Sequence, residues 1–464
     1  MPKTISSFLI YSLAVVICFA AYPGVVATNL PRPTPSQLAW QEAELIVVFH
    51  YDLHVFDNER YIQRENRITP IPDYNIFNPA DLDTDQWIGA AADMGAKCAI
   101  LTATHETGFA LYQSDVNPYC LKAVRWRDGR GDVVGDFVKS CRKYGIEPGI
   151  YIGIRWNSFY GVHDFKVTGD GDFAARRQAH YNRMVEGMVT ELCTRYGPLF
   201  EIWFDGGAHG PAQGGPDVRP IIEKYQPDCI FYHNLERADH RWGGSESGTV
   251  PYPCWSTFPY PSWMQYRDQE HDFALIKHGD PDGAYWCPAM SDAPLRGYNG
   301  GHEWFWEPGD DEHIYPLAEL TAMYEQSVGR NSTLILGITP GPDGLVPEPD
   351  VRRMRELGDE IKRRYGEPLA STSGEGCDIL LDLGKPLKIN CVIIMEDIAH
   401  GERVREYAIE GYTEGAWRVL GAGTCIGHKR IQRFDDVVVS RVRLRIDKAA
   451  EEPVIRRLSV YSVI

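Results

Sequence analysis

Short apolar runs alternate with stretches of helical periodicity from about residue 38 to residue 365. The apolar runs are typical of buried parallel strands and lie at 45–50, 97–102, 149–154, 200–205, 228–233 and 333–338. The helical stretches lie between them, at 84–95, 132–145, 171–196, 216–226, 316–328 and 349–364. This alternation predicts an α/β fold, a (β/α)8-like barrel with irregular members between 240 and 315. A doubly wound sheet is the rival, but it needs a glycine-rich turn after the first strand, where residues 50–54 read HYDLH.

The pattern changes after a basic cluster at 362–364, which suits the C-terminal end of a helix. A stretch rich in Gly, Pro, Ser and Thr at 366–374 is typical of a linker. Apolar residues then recur with period two in short segments, which predicts a β-sandwich of jelly-roll type. We therefore expect a barrel domain over 28–366 and a C-terminal β-sandwich over 375–464.

The N-terminal segment has the layout of a signal peptide. Residues 1–27 carry one charge, Lys3, then an apolar run at 8–21 and small residues before position 28. This pattern predicts a secreted protein of the extracellular space or apoplast, with the vacuole or another lumen as the alternative. No later stretch reaches the ~18 consecutive apolar residues of a membrane span, so we expect no membrane insertion.

The charge of the chain bears on its binding partners, and its cysteine content bears on disulfide formation. Acidic residues outnumber basic ones by 64 to 47, which argues against nucleic-acid binding. Ten cysteines remain after Cys18 is removed, and this even number permits disulfides, whose connectivity stays open. Cys98 and Cys229 lie in apolar strand runs and fit buried free thiols equally well. Because the sequon at Asn331 opens a strand-like run, we expect it to carry no glycan.

The strongest chemical signal is the segment FEIWFDGG at 200–207, where an apolar strand ends in a carboxylate and two glycines. Catalytic side chains of barrels lie at the C-terminal ends of strands, and alternation places Glu201, Trp203 and Asp205 on one face. A second carboxylate, Glu246, lies in a glycine-rich loop downstream. Such a pair could serve glycoside hydrolysis, which needs two carboxylates facing the scissile bond. The alternative role of Asp205 is to cap the following segment.

Three histidines also follow predicted strands: His50, His105 and His233. A single histidine is usually structural, but three at strand ends favour hydrogen bonding to a polyhydroxylated ligand. Metal binding is the lesser alternative, because no HxxxH pair lies in a predicted helix and the sequence contains no CxxC. We therefore predict no metal and no cofactor.

These motifs together resemble the α-L-fucosidases of glycoside hydrolase family 29. The resemblance covers the mature chain through FHYD at 49–52, LTATHETGFAL at 101–111, GIYIG at 149–153, YGPLFEIWFDGG at 196–207, HRWGGSESG at 240–248 and NSTLILGITPGPDG at 331–344. The loop with Trp242 and Glu246 is similar to that of the α-1,3/1,4-specific, plant-type subgroup. The resemblance implies a barrel with an accessory β-domain, and an enzyme that needs no cofactor.

The resemblance also implies roles for single residues. Asp205 matches the nucleophile and Glu246 the acid/base. His50, His105, Glu106, Trp203 and Trp242 are the implied substrate-binding residues, although Glu106 stands where the family often has a second histidine. Glu303 and Glu307, in the aromatic loop at 301–307, are rival candidates for the acid/base.

The sequence therefore predicts a secreted retaining exo-α-L-fucosidase acting on terminal α-1,3- or α-1,4-linked fucose of branched oligosaccharides and glycoproteins. Its expected partner is a fucosylated oligosaccharide or N-glycan, and its oligomeric state is open. Two alternatives remain: a catalytically silent, lectin-like sugar-binding protein, and a retaining hydrolase for another hexose such as galactose.

Overall fold

The computed structural model describes residues 30–267 and 273–463, so the predicted signal peptide lies outside the described residues. Eight parallel strands form the first sheet: β1 Leu45–Phe49, β2 Cys98–Thr104, β3 Glu147–Ile152, β4 Glu201–Ala208, β5 Ile230–Asn234, β6 Arg241–Trp242, β7 Ala289–Pro294 and β8 Ser332–Ile338. Their order across the sheet is β5-β4-β3-β2-β1-β8-β7-β6. The sheet is a nearly closed barrel that stays open between β5 and β6, which confirms the predicted fold class.

Helices connect the strands close to the predicted positions. They are α1 Pro35–Ala43, α2 Gln63–Asn66, α3 Thr84–Met94, α4 Val133–Tyr144, α5 Gly171–Arg195, α6 Arg219–Tyr225, α7 Met264–Arg267, α8 Ala274–His278, α9 Leu317–Gln326 and α10 Glu348–Tyr365. Helix α3 shows why the boundaries are sharp: the Asp83 carboxylate accepts from the amides of Asp85 and Gln86, and Gly95 ends the helix in the left-handed region.

Period-two alternation sorts the barrel strands into an inner and an outer face. One set of side chains points into the barrel and forms an apolar core there, including Ile46, Val48, Ile100, Trp203, Met290 and Ile335. The alternate set packs outward against the helices, including Val47, Phe49, Leu101, Phe204, Leu334 and Leu336. The barrel is therefore filled below its C-terminal rim, and only the rim is free for a ligand.

Strands β6 and β7 are absent from the predicted strands. Strand β6 is two residues long, and its pairing with β7 is confined to Ala289↔Arg241 and Met290↔Trp242. Strand β7 ends at Pro294 and carries polar Ser291 and Asp292 on a fully buried strand. Neither segment has the apolar run that identifies a buried strand, although both belong to the barrel.

The C-terminal part is an antiparallel sheet of six strands: β9 Ala370–Glu375, β10 Asp378–Glu396, β11 Val404–Thr413, β12 Ala416–Gly423, β13 Arg430–Ala449 and β14 Val454–Tyr461. Their order is β9-β14-β10-β13-β11-β12. Register shifts interrupt the long β10–β13 pair, and such bulges bend a sheet. Strand β9 begins inside the stretch predicted as a linker. Its side chains alternate between half-buried and exposed, as is typical of a strand at the edge of a sheet.

Asn331, the predicted unused sequon, lies buried between the barrel and the C-terminal sheet. Its side-chain amide donates to the Cys254 carbonyl and to the Glu402 carboxylate, and its side-chain oxygen accepts from the His428 backbone amide. A glycan on this nitrogen would have to break these bonds. The burial of Asn331 thus agrees with the expectation that the sequon is unused.

The ten cysteines of the described ranges form no disulfide, and nine of them are buried. Cys98 and Cys229 are among these buried thiols, which agrees with the interpretation of both as buried free thiols rather than disulfide partners. Burial raises the pKa of both thiols well above the ordinary value, so they stay protonated and unreactive. Among the helices that the structure describes, none has the length and apolar character needed to cross a membrane.

Candidate active site

A pocket opens at the C-terminal rim of the barrel and contains about 550 Å³ of empty space, open solvent at its mouth included. Six of the sequence-predicted site residues line it: His50, His105, Glu106, Trp203, Asp205 and Glu246. Val48 and Ile335 form its apolar floor. The seventh, Trp242, lies beside the pocket, and its indole donates to the carboxylate of a further lining residue, Asp292 (3.1 Å).

Asp205 lies on β4 where the strand reaches the rim. The two glycines after it are required by their surroundings: both have positive φ, and a Cβ on Gly206 would lie 2.7 Å from the Arg155 side chain. A Cβ on Gly207 would lie 2.5 Å from the Met264 sulfur. The segment WFDGG therefore interrupts the regular pairing of β4 with β5 between Trp203 and Ala208, and the Asp205 carboxylate lines the pocket there.

The surroundings of Asp205 oppose its negative charge. Burial raises the pKa of Asp205, and the nearby Glu246 carboxylate raises it further. The charge of Arg67 and a hydrogen bond from the Tyr151 hydroxyl partly offset this shift. The result is a carboxylate that is weakly solvated and held in place, which suits a nucleophile.

Glu201, two positions before Trp203 on the same face of β4, has a structural role at the lower end of the barrel. It is fully buried and accepts hydrogen bonds from the Trp40 indole (2.9 Å) and, across a 2.8 Å contact, from His240. The three inward residues of β4 therefore have different roles at different depths. Trp203 and Asp205 line the pocket, whereas Glu201 lies below it.

Glu246 lies on the loop after β6, at the outer wall of the pocket, with 40% of its side chain exposed. Its Oε2 is 2.5 Å from Nε2 of His302 and 3.1 Å from Nε1 of Trp304. Burial acts to raise the pKa of Glu246, but the hydrogen bond and charge of His302 outweigh it, and the net pKa is lowered. The same bond raises the pKa of His302. The pair therefore shares one proton that rests on His302.

Three buried polar atoms of the pocket have no hydrogen-bond partner within the described part of the chain: Nδ1 of His50, Nδ1 of His105 and Nε1 of Trp203. Burial lowers the pKa of His50 to about 4 and that of His105 well below its ordinary value. Both rings are therefore neutral near pH 7, so each has one donor and one acceptor nitrogen. The pocket is equipped for the hydroxyl groups of one sugar ring.

Glu106 is buried and held by two neighbours. Its Oε2 accepts from the Tyr61 hydroxyl and its Oε1 from Nε of Arg67, both at 2.6 Å. Burial raises the pKa of Glu106, and the charge of Arg67 acts in the opposite direction. The position where the family often has a second histidine thus carries a fixed carboxylate.

The two rival acids, Glu303 and Glu307, lie outside the residues that line the pocket. Glu303 accepts from the Arg60 guanidinium (2.9 Å), and Glu307 accepts from the Tyr61 backbone amide (2.7 Å). Both tie the loop at 301–307 to the loop after β1. His233 is also absent from the lining; it is buried and its ring lies 4.8 Å from that of Trp263.

Sequence reasoning missed five lining or supporting residues: Tyr61, Tyr151 and Asp292, and the two partners of Glu246, His302 and Trp304. Tyr151 lies in the segment GIYIG, and its inward position on β3 could have identified it. The others lie in loops or in an unrecognised strand and had no periodic signal. Within the residues that the structure describes, no group of His, Cys, Asp and Glu could hold a metal ion.

Comparisons with known proteins point in one direction. The alpha-L-fucosidase family model matches residues 48–367. A crystal structure from Bacteroides thetaiotaomicron VPI-5482, of a protein assigned as an α-L-fucosidase, is 59% identical, has a TM-score of 0.92, and matches over 94% of this chain and 100% of that one. Alpha-L-fucosidase 1 of Arabidopsis thaliana is 28% identical over 93% of this chain and 88% of its own length. A Ruminococcus gnavus family 29 fucosidase solved with fucose is 22% identical with a TM-score of 0.79, over 94% and 95% of the two chains, and shows the shared fold.

The bond between Glu246 and His302 gives the first prediction. In Glu246→Gln, we expect the pKa of His302 to fall, because its largest cause of elevation is the hydrogen bond to that carboxylate. NMR titration of the histidine ring measures this value. Glu303→Gln is the matched control, since Glu303 raises the pKa of His302 only through its charge and as the weakest cause. An unchanged His302 titration in Glu246→Gln would contradict the described pair.

Proposed function

The chain belongs to the α-L-fucosidase family, glycoside hydrolase family 29, and we propose that it is a secreted, retaining exo-α-L-fucosidase with Asp205 as nucleophile and Glu246 as acid/base. The observation that carries the proposal is the pocket itself, in which both carboxylates and the unpartnered nitrogens of the sugar-binding residues meet. A pocket with a filled floor suits one terminal sugar, which is why we propose exo action.

The proposed reaction has two displacements. Asp205 attacks the anomeric carbon of an α-fucoside, and an ester of inverted, β configuration forms while Glu246 protonates the departing oxygen. Glu246 then takes a proton from water, which attacks the ester and restores the α configuration. Because Glu246 is ionised in the unliganded site, its proton must arrive before the first displacement, and His302 at 2.5 Å is the adjacent source.

The apolar floor supports fucose over another hexose. Val48 and Ile335 offer a methyl group an apolar contact, whereas the C6 hydroxyl of a galactose-type sugar would lie there without a partner. Such a pocket rejects an added hydroxyl only modestly, by roughly 100-fold. The presence of two carboxylates in the pocket disfavours the silent, lectin-like alternative.

The outer wall supports a preference for branched substrates. Glu246, His302 and Trp304 form a half-exposed cluster beside the pocket, where the sugar that leaves the active site would lie. We propose that this cluster contacts the rest of an α-1,3- or α-1,4-fucosylated glycan. Secretion is proposed from residues 1–27, with the vacuole or another lumen as the alternative destination.

The linkage proposal predicts efficient release of fucose from branched Lewis-type glycans and poor release from α-1,2-linked and simple aryl fucosides. Contacts to a neighbouring sugar would contribute to transition-state binding only in the branched substrates. A panel of α-1,2-, α-1,3-, α-1,4- and α-1,6-linked oligosaccharides, assayed for free fucose, gives kcat/KM for each. Equal values for branched and unbranched members would overturn the linkage proposal.

Replacing Asp205 tests the nucleophile. We expect Asp205→Ala or Asp205→Gly to lower kcat/KM by at least ~10³, about 4 kcal/mol, while the protein remains folded. Added azide should restore turnover and give β-fucosyl azide, because the small anion enters the space of the missing carboxylate. The exposed Asp282, changed to Ala, serves as control and should leave the rate unchanged. Near-normal activity of Asp205→Ala would reduce this residue to a structural cap.

The leaving group distinguishes Glu246 from its rivals. Loss of a general acid should be severe for a sugar leaving group and milder for an acidic nitrophenol. We expect this pattern in Glu246→Ala, together with acceleration by azide and formation of the retained α-fucosyl azide. In Glu303→Ala and Glu307→Ala the effects should fall mainly on KM, since both residues only tie loops together. Leaving-group dependence in either of these variants would move the acid/base role there.

A further inference from the structure

Four carboxyl side chains line the pocket, and Asp292 joins Glu106, Asp205 and Glu246 there. It lies on β7 and is buried, and it lines the pocket together with Asp205 and Glu246. Inward alternation places it two positions above Met290, which belongs to the barrel core. Asp292 thus stands at the boundary between the apolar filling of the barrel and the reacting groups.

Two hydrogen bonds join Asp292 to the loop that carries Glu246. Its Oδ1 accepts from the Trp242 indole (3.1 Å), and its backbone carbonyl accepts from the Gly248 amide (2.8 Å). Trp242 immediately precedes this loop and Gly248 follows Glu246 by two residues. The two bonds therefore fasten the loop on both sides of Glu246 to a single residue of the barrel.

The charges around Asp292 are unfavourable to another anion. Besides Asp292, the titratable side chains that line the pocket come from five parts of the fold: Tyr151 on β3, Asp205 on β4, Glu246 on the loop after β6, His50 and Tyr61 after β1, and His105 and Glu106 after β2. Burial raises the pKa of Asp292 well above its ordinary value, and the charges of Glu246 and Asp205 raise it further. Hydrogen bonds from the Trp242 indole and from the Asp292 backbone amide act in the opposite direction, and the net pKa of Asp292 remains raised. At the other two carboxylates the charge of Arg67 acts to lower the pKa of Asp205, and His302 lowers that of Glu246.

We propose that Asp292 is a positioning residue that works as a neutral carboxylic acid, accepting from Trp242 with one oxygen, carrying its proton on the other, and thereby fixing the loop of Glu246. This inference rests on the proposed function. Ionisation of Asp292 would place a further negative charge beside Asp205 and Glu246 and would disturb both displacements. Activity should therefore fall at alkaline pH as Asp292 loses its proton.

The raised pKa of Asp292 also makes the stability of the fold depend on pH. Because the pKa of Asp292 is raised in the folded protein, its proton stabilises the fold fully below the pKa of the unfolded chain. This stabilisation is lost as the pH rises through the folded-state pKa. Asp292→Asn keeps the size and neutrality of the acid and removes the titration, so it should gain stability relative to wild type as the pH rises.

The experiment compares Asp292→Asn and Asp292→Ala with wild type on a branched α-1,3-fucosylated substrate, with Asp282→Asn as the exposed control. We expect Asp292→Ala to lower kcat by about 100-fold with little change in KM, because the acid/base is misplaced. Asp292→Asn should recover at least about 10-fold of this loss, and its alkaline limb should move to higher pH. The Tm of Asp292→Asn minus that of wild type should increase between pH 5 and pH 9.

Three results would overturn the inference. The first is a wild-type kcat in Asp292→Ala, and the second is an Asp292→Asn enzyme as impaired as Asp292→Ala with an unmoved alkaline limb. The third is azide rescue of Asp292→Ala with the retained α-fucosyl azide, which would make Asp292 the acid/base itself. If the wild type releases no fucose, the proposed function fails. The difference in Tm still tests the neutral state of Asp292, and a value constant with pH would overturn it.

Discussion

The crowding of carboxyl groups in a poorly hydrated pocket is the constraint on which the site depends, because Glu106, Asp205, Glu246 and Asp292 all line it. Asp205, Glu246 and Asp292 cannot all be ionised there without a large electrostatic cost. Each has different neighbours. The charge of Arg67 acts to lower the pKa of Asp205, and His302 lowers that of Glu246, whereas Asp292 accepts a hydrogen bond from Trp242 but has its pKa raised by burial and two negative neighbours. The different environments of similar groups create different chemical roles.

In the barrel, the packed interior and the reactive groups lie at different depths. Below the rim, the inward side chains form an apolar core, and the buried Glu201 is bonded there to Trp40 and His240. At the rim, the strand ends bring together groups that are remote in sequence, and the loops after β6 and β7 close the wall around them. The side chains of His50, His105 and Trp203 belong to this upper layer and line the pocket, and each has one buried nitrogen without a partner among the described residues.

Much of the fold and half of the pocket could be predicted from the sequence, because apolar strands that end in polar residues give a direct signal. Asp205 follows such a strand and is marked by two glycines. Asp292 is its counterpart on β7, but that strand has polar residues in its interior and a proline at its end, so its period is hidden. The contact of His302 with Glu246 joins loops 56 residues apart and has no signature in either segment.

We propose that Asp205 becomes covalently bonded to the sugar during turnover. A 2-deoxy-2-fluoro-fucosyl fluoride tests it most directly, since the ring fluorine slows both displacements and the fluoride leaving group keeps the first one fast enough for the ester to accumulate. Mass spectrometry of the intact protein and then of its proteolytic peptides locates the added sugar. The account predicts one fluorofucosyl group on Asp205, with loss of activity in step with labelling. A label on any other residue would contradict it.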